Sequence, residues 1–151
     1  MKNKKIIIVD TDELDICLYK TICKYSLEDD KIDFEIYSNA EYALERVTKN
    51  GFDLLITSLN LNNKKIDGLK LARMTWGLGK HTIIITSHKK SCWLWLNLFY
   101  RDMRKWVKII NKPTNPYNLI ESIQDRINKT SSTTKMFDII TKSFIKIKKE
   151  D

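Results

Sequence analysis

Glycine is scarce, with four in 151 residues, so a glycine-rich loop able to cradle a nucleotide phosphate is missing. Cysteine is scarce as well. Cys17, Cys23 and Cys92 are odd in number and lack C-x-x-C spacing, which argues against a disulfide framework or a zinc site. Three reduced, buried thiols are expected. The two histidines, His81 and His88, have no neighbouring cysteine and no G-x-S-x-G turn, so neither suggests a nucleophile with its base, and no enzyme is expected. No run approaches the about 18 unbroken apolar residues of a membrane span. Met1-Lys2-Asn3-Lys4-Lys5 leads into only four apolar residues before Asp10, too few for a signal peptide. The expected location is cytoplasmic.

What is present is an apolar share of 42%, which in a chain of this length suits one domain with one core and leaves no room for a second of ordinary size. Apolar runs of strand length alternate with stretches of helical period. Ile6-Ile7-Ile8-Val9 precedes Leu14, Leu18, Ile22 and Tyr25 along one face: a strand, then a helix. Ile32, Phe34 and Ile36 alternate with Asp33, Glu35 and Tyr37 as in a half-covered edge strand. Asn39 is placed to cap a helix carrying Tyr42, Ala43, Leu44 and Val47, and Gly51 to close it. Leu54-Leu55-Ile56 and Ile83-Ile84-Ile85 are the unbroken runs of parallel strands buried on both faces, with Leu69, Leu71, Ala72 and Trp76 on a helix between them. Val107 to Ile110 supplies a fifth strand. Asn115 and Pro116 read as an N-cap and first helical residue, opening a helix with Leu119, Ile120, Ile123 and Ile127 inward. These five βα units predict an α/β fold, a flavodoxin-like (βα)5 doubly wound parallel sheet, over residues 1–128.

In such a sheet the ligand site lies at the carboxyl ends of the strands, beside the topological switch point. Those ends carry Asp10-Thr11-Asp12, Thr57-Ser58, Thr86-Ser87-His88 and Asn111-Lys112-Pro113, with Asp67-Gly68 in the loop after the third strand. In their order and spacing these segments resemble the receiver domains of two-component response regulators, over about residues 4–128. That resemblance places the family's acidic pair at the positions of Asp10 and Thr11, its phosphoryl acceptor at the position of Ser58, and its phosphoryl contacts at Thr86 and Lys112. It also implies a magnesium ion held by the acceptor, by one acidic residue and by a backbone carbonyl, here that of Asn60.

The departures from the pattern decide what is expected. Magnesium wants near-octahedral oxygen ligands and sheds water reluctantly. Thr11 stands in the second acidic position and Ser58 in place of the acceptor aspartate, so three clustered carboxylates become one, and Asp12 reaches in only by a shift of register. Near 4 Å each lost carboxylate removes roughly 4 kcal/mol of attraction per unit of ion charge at an effective dielectric of about 20, before desolvation. No metal and no cofactor is therefore expected. Ser58 is a neutral hydroxyl with no histidine nearby in sequence to act as its base, so it is not expected to replace the acceptor. Lys112 is expected to pair with Asp10 and tie strand ends together. The aromatic that receivers use as a relay, three residues before the lysine, is Ile109 here.

A site without its chemistry turns attention to surfaces. The run Cys92-Trp93-Leu94-Trp95-Leu96-Asn97-Leu98-Phe99-Tyr100 has eight apolar residues of nine, whereas a helix on an open sheet buries one stripe and shows water the other. Part of it is expected to lie against something besides its own sheet. Receivers use the fourth helix, fifth strand and fifth helix for dimers and output partners, and the resemblance points to the same place. Trp93, Trp95, Phe99, Tyr100 and Trp106 are thus the expected interaction surface, for a protein partner or a second copy. After a polar linker from Lys129, Met136, Phe137, Ile140, Phe144 and Ile147 recur at helical spacing and predict an amphipathic C-terminal helix within 129–151, which would dock on its own chain, a twin or another protein.

Charge offers a rival reading. There are 27 basic and 19 acidic residues, a net charge of +8, and Lys89 to Lys112 holds seven basic residues around the tryptophans against Asp102 alone. Basic residues interleaved with aromatics suit single-stranded nucleic acid or a phosphate-rich membrane surface. A small effector in the vacated crevice is a further alternative. The favoured expectation is a stand-alone receiver-like domain that takes no phosphoryl group and works through protein contacts, with nucleic acid as the alternative partner.

Overall fold

A computed structural model describes residues 3–26 and 31–128. The order of elements is β1 (Lys4–Val9), α1 (Glu13–Ser26), β2 (Ile32–Tyr37), α2 (Ala40–Thr48), β3 (Leu54–Ser58), α3 (Gly68–Gly77), β4 (His81–Thr86) and α4 (Lys89–Phe99), then a short 3-10 helix (Arg101–Trp106) and β5 (Val107–Asn111). A last helix, α5, covers residues 116–128. The expected C-terminal amphipathic helix falls outside the described residues. Among those described, no helix is long and apolar enough to cross a membrane.

All five strands are parallel, in the order β2-β1-β3-β4-β5. The α/β flavodoxin-like architecture is as the sequence predicts, with β2 at one edge and the three unbroken apolar runs in the centre. Because side chains alternate across a strand, each central run feeds two layers. Ile6, Ile8, Leu54, Ile56, Ile83 and Ile85 meet Tyr19 and Ile22 of α1 and Leu119, Ile123 and Ile127 of α5. Ile7, Val9 and Leu55 meet α2 and α3, through Ala43, Val47 and Leu71. Ile84, Val107 and Ile109 pack under Ala72, Cys92, Leu96 and Met103. Each such large side chain contributes roughly 1.5–3 kcal/mol by leaving water.

Caps fix where the helices begin, and so where the strand-end loops point. Asn39 Oδ1 accepts from the backbone N–H groups of Glu41 and Tyr42, Asp67 Oδ1 from that of Lys70, and Asp12 Oδ1 from Leu14 at 2.9 Å. A cap of this kind adds about 1 kcal/mol. Asn115 accepts from the Tyr117 N–H, as its reading as an N-cap requires.

Three local expectations need correction. Of the three thiols expected to be buried, Cys17 is exposed and Cys23 half-buried, and Cys92 alone is buried. Leu14 is 81% exposed, whereas Tyr19 is buried. An i, i+4, i+8 row drifts by about 40° per step around a 3.6-residue helix, so the row is exposed at Leu14, half-buried against the core at Leu18 and buried at Ile22, and Tyr19 fills the other half of the inward stripe. Also, Asn50 rather than Gly51 first turns the chain left-handed after α2, at φ 57°. Its side-chain Oδ1 accepts from the Gly51 N–H, which lets asparagine hold that conformation.

Candidate functional site

The five sequence-predicted site residues, Asp10, Thr11, Ser58, Thr86 and Lys112, converge at the carboxyl ends of β1, β3, β4 and β5, around a crevice of about 380 Å³. Asp10 is 1% exposed at the end of β1. Its Oδ1 accepts from the Asp12 N–H at 3.0 Å, and its Oδ2 accepts from the Tyr19 hydroxyl at 3.0 Å. Burial first, and the Asp10 carboxylate next, push the Tyr19 hydroxyl far above the usual phenol value, so it remains a donor.

Lys112 projects from the end of β5 toward this carboxylate, but its closer partner is on α1. Its ammonium donates to Asp15 Oδ2 at 2.7 Å and lies 3.6 Å from Asp10 Oδ2. It also stands 3.4 Å from Ser58 Oγ. The expected Lys112–Asp10 bridge is therefore one arm of a fork, and Asp15 supplies the shorter arm. Burial alone would lower the lysine, but Asp15 and then Asp10 outweigh it and hold the ammonium above its ordinary value, so it stays charged at neutral pH.

The remaining groups have local duties. Thr11 Oγ1 accepts from the Asn62 side chain at 3.1 Å. Thr86 is buried, and its Oγ1 accepts from the His88 N–H at 3.0 Å. The backbone N–H of Lys112 donates to the Thr86 carbonyl at 3.0 Å, and the Lys112–Pro113 peptide is cis. Asp12 caps α1 through its Oδ1 and also lines the crevice. His88 lines the same crevice although it is far from Ser58 in the chain.

These residues do not make a magnesium site. Asp10 is the buried carboxylate of the crevice, each of its oxygens already accepts a hydrogen bond, and an ammonium stands 3.6 Å away, while the second carboxylate of the lining, Asp12, is exposed and caps α1 through Oδ1. A divalent ion needs several unengaged oxygen ligands and is repelled by that cation. Among the described residues, no group of three or more His, Cys, Asp or Glu is arranged to hold a metal ion. At the end of β3 the residue facing the ammonium is the neutral, buried Ser58.

Sequence reasoning missed Asp15 and Tyr19. The signal was their spacing: four residues apart on α1, they share the face that looks into the crevice. Tyr19 was passed over because a tyrosine in a helix carries no mark of whether its hydroxyl meets a carboxylate.

The other expected site is divided by α4. Cys92 and Leu96 are buried, while Trp93, Leu94, Trp95, Leu98 and Phe99 are 45–65% exposed. Trp95 and Phe99 stand together, ring centroids 4.8 Å apart. Trp93 lies on the opposite flank, toward β5. Tyr100 closes the helix half-buried, with the Arg73 guanidinium 5.8 Å from its ring. Trp106 stands apart from all of these, stacked on the buried His81 at 4.6 Å, so the structure does not bring it to the α4 surface.

No family model and no curated protein sequence matches this chain. Solved structures do. The signal receiver domain of an HD domain-containing protein from Pseudomonas fluorescens Pf-5 superposes with a TM-score of 0.72 at 17% identity, covering 89% of this chain and 94% of that one. This chain has the receiver fold. A CheY-like receiver domain from Methanospirillum hungatei JF-1 gives a TM-score of 0.68 at 24% identity, over 87% and 98% of the two chains. The receiver domain of a putative Luxo repressor protein from Vibrio parahaemolyticus gives 0.68 at 18% identity, over 91% and 97%. At these identities the likeness is one of backbone course, and the chemistry of the site rests on the residues themselves. Ile109, at the relay position of the receiver fold, is buried against Ile84 and Met103.

Proposed function

We propose that this chain is a signalling domain of receiver type that takes no phosphoryl group and works as a protein-interaction module, with a second copy of itself as the partner across α4. The observation that carries the reading is the Lys112 fork. An ammonium tied to Asp15 and Asp10, opposite a serine, occupies the ground where a receiver's metal and acceptor carboxylate would meet. Without a phosphoryl event to move it, and with a branched aliphatic at the relay position, the domain has one resting conformation to offer. The exposed apolar flank of α4 supports contact as its output, since Trp95, Leu98 and Phe99 form a continuous patch rather than scattered exceptions. The cytoplasm is the proposed place of action, in keeping with unpaired thiols throughout the described chain.

Sedimentation mass tests the interaction. The parent chain is expected to run as a dimer at tens of micromolar, and a Trp95→Ala, Phe99→Ala variant as a monomer. Interface aromatics of this kind contribute about 2 kcal/mol or more each, which is ample to dissociate a micromolar dimer. A parent chain that is monomeric at all concentrations, or a variant dimer as tight as the parent's, would remove the self-association reading.

A further inference from the structure

The opposite flank of α4 is chemically unlike the aromatic patch. Between α4, β5 and α5 runs an open groove of about 940 Å³, walled by Lys89, Lys90, Trp93, Arg104, Lys105 and Lys108. From the face and charge of that groove we infer that it binds single-stranded nucleic acid, its five cations following the phosphates and the Trp93 ring stacking on a base.

Four observations lead there. First, all five cationic side chains are on exposed residues, and among the described residues none of the five takes part in an ion pair. Arg126, also in the wall, is excluded from the count because it pairs with Asp125 at 4.0 Å, whereas Arg104 donates only to the neutral Asn97 side chain. Second, among the described residues lining the groove Asp125 is the one acid, and it pairs with Arg126, so the field along the groove is predominantly positive and focuses on a polyanion. Edge protection explains only Lys108, the exposed cation of edge strand β5; the other four come from α4 and the 3-10 helix.

Third, the apolar part of the floor is already spent within the fold. Val107 is 3% and Ile109 7% exposed, whereas Trp93 is 45% exposed. A protein partner would find little apolar area to bury here, but a polymer recognised by charge and one flat ring needs no more. Fourth, the chain's own occupants are the wrong sign. Residues 129–151 hold six basic and three acidic residues, and a second copy would present the same cations, so the charge of neither complements this groove.

The test uses the full chain and a labelled, mixed-sequence single-stranded 15-mer, with binding followed by fluorescence anisotropy from low to physiological salt. Micromolar binding is expected, with log affinity falling against log salt at a slope of roughly −3, as four or five single-strand phosphate contacts give. Lys89→Ala with Lys108→Ala is expected to weaken binding at least tenfold and to flatten the slope by about 1.4. Trp93→Ala is expected to cost about tenfold with the slope unchanged, and Trp93→Phe to recover most of it. Lys20→Ala with Lys64→Ala, on exposed residues outside the groove, should leave both quantities as they are. No binding at low salt, or equal losses from the two lysine pairs, overturns the inference. Poly-glutamate of matching charge that binds as tightly as the oligonucleotide overturns it too, in favour of an acidic protein partner.

Discussion

Thr11→Asp and Ser58→Asp together are expected to create saturable magnesium binding in the millimolar range or tighter, where the parent chain shows none. The two new carboxylates would join Asp10 at the mouth of the crevice and restore three negative charges against one ammonium. Each adds roughly 4 kcal/mol of attraction per unit of ion charge near 4 Å at an effective dielectric of about 20, before desolvation is subtracted. Ser58→Asp alone is expected to fail. Its carboxylate would form within reach of the Lys112 ammonium, which already stands 3.4 Å from Ser58 Oγ, and would compete with Asp15 for that cation rather than for a metal. Calorimetric titration of the parent and both variants separates these outcomes. Saturable binding to the parent at millimolar magnesium would show that the lysine fork yields to a metal after all.

Gly68→Ala is expected to be the most destabilising single methyl addition in the domain. A Cβ at Gly68 would stand 2.3 Å from the Ser58 carbonyl oxygen and 3.0 Å from Leu59 Cα. Both neighbours are backbone, so no side chain can swing aside. The close approach is built in, because the Gly68 N–H donates to the Leu59 carbonyl at 2.8 Å and ties the start of α3 to the end of β3. Relief requires moving the strand end that carries Ser58, at about 3 kcal/mol or more. Gly77, by contrast, has open space around its missing Cβ, so Gly77→Ala is expected to be neutral or stabilising by up to about 1 kcal/mol through helix propensity. Urea unfolding should show a lower midpoint with unchanged slope for Gly68→Ala. A loss below about 1 kcal/mol would mean that the strand end shifts freely.

The contrast between these two glycines marks how far a sequence can be read. Strand runs such as Ile83-Ile84-Ile85 announce their burial because continuous apolar sequence has few other homes, and the caps at Asn39 and Asn115 follow from local hydrogen bonding. The site residues Asp10, Ser58, Thr86 and Lys112 were legible for the same reason: each ends a strand, and parallel strands bring their ends together. Asp15 was not legible. Its pairing with Lys112 joins residues 97 apart in the chain, and it depends on the rotation of α1 over the sheet, which the Leu14 row misjudged. On α4, the sequence showed apolar residues on every side but not that the helix would turn Trp95 and Phe99 one way and Trp93 the other. Periodicity gives angles about a helix; which neighbour meets each angle is settled by the sheet beneath. Trp106 shows the same limit, since its stacking on His81 joins the end of the 3-10 helix to the start of β4.

The proposal that no phosphoryl group is taken up is most directly tested on the unmodified protein. After incubation with magnesium and acetyl phosphate, the intact mass of the parent chain is expected to be unchanged, because the buried serine faces an ammonium already held by two aspartates. A gain of one phosphoryl group, mapped to Ser58, Asp10 or Asp12, would contradict the account.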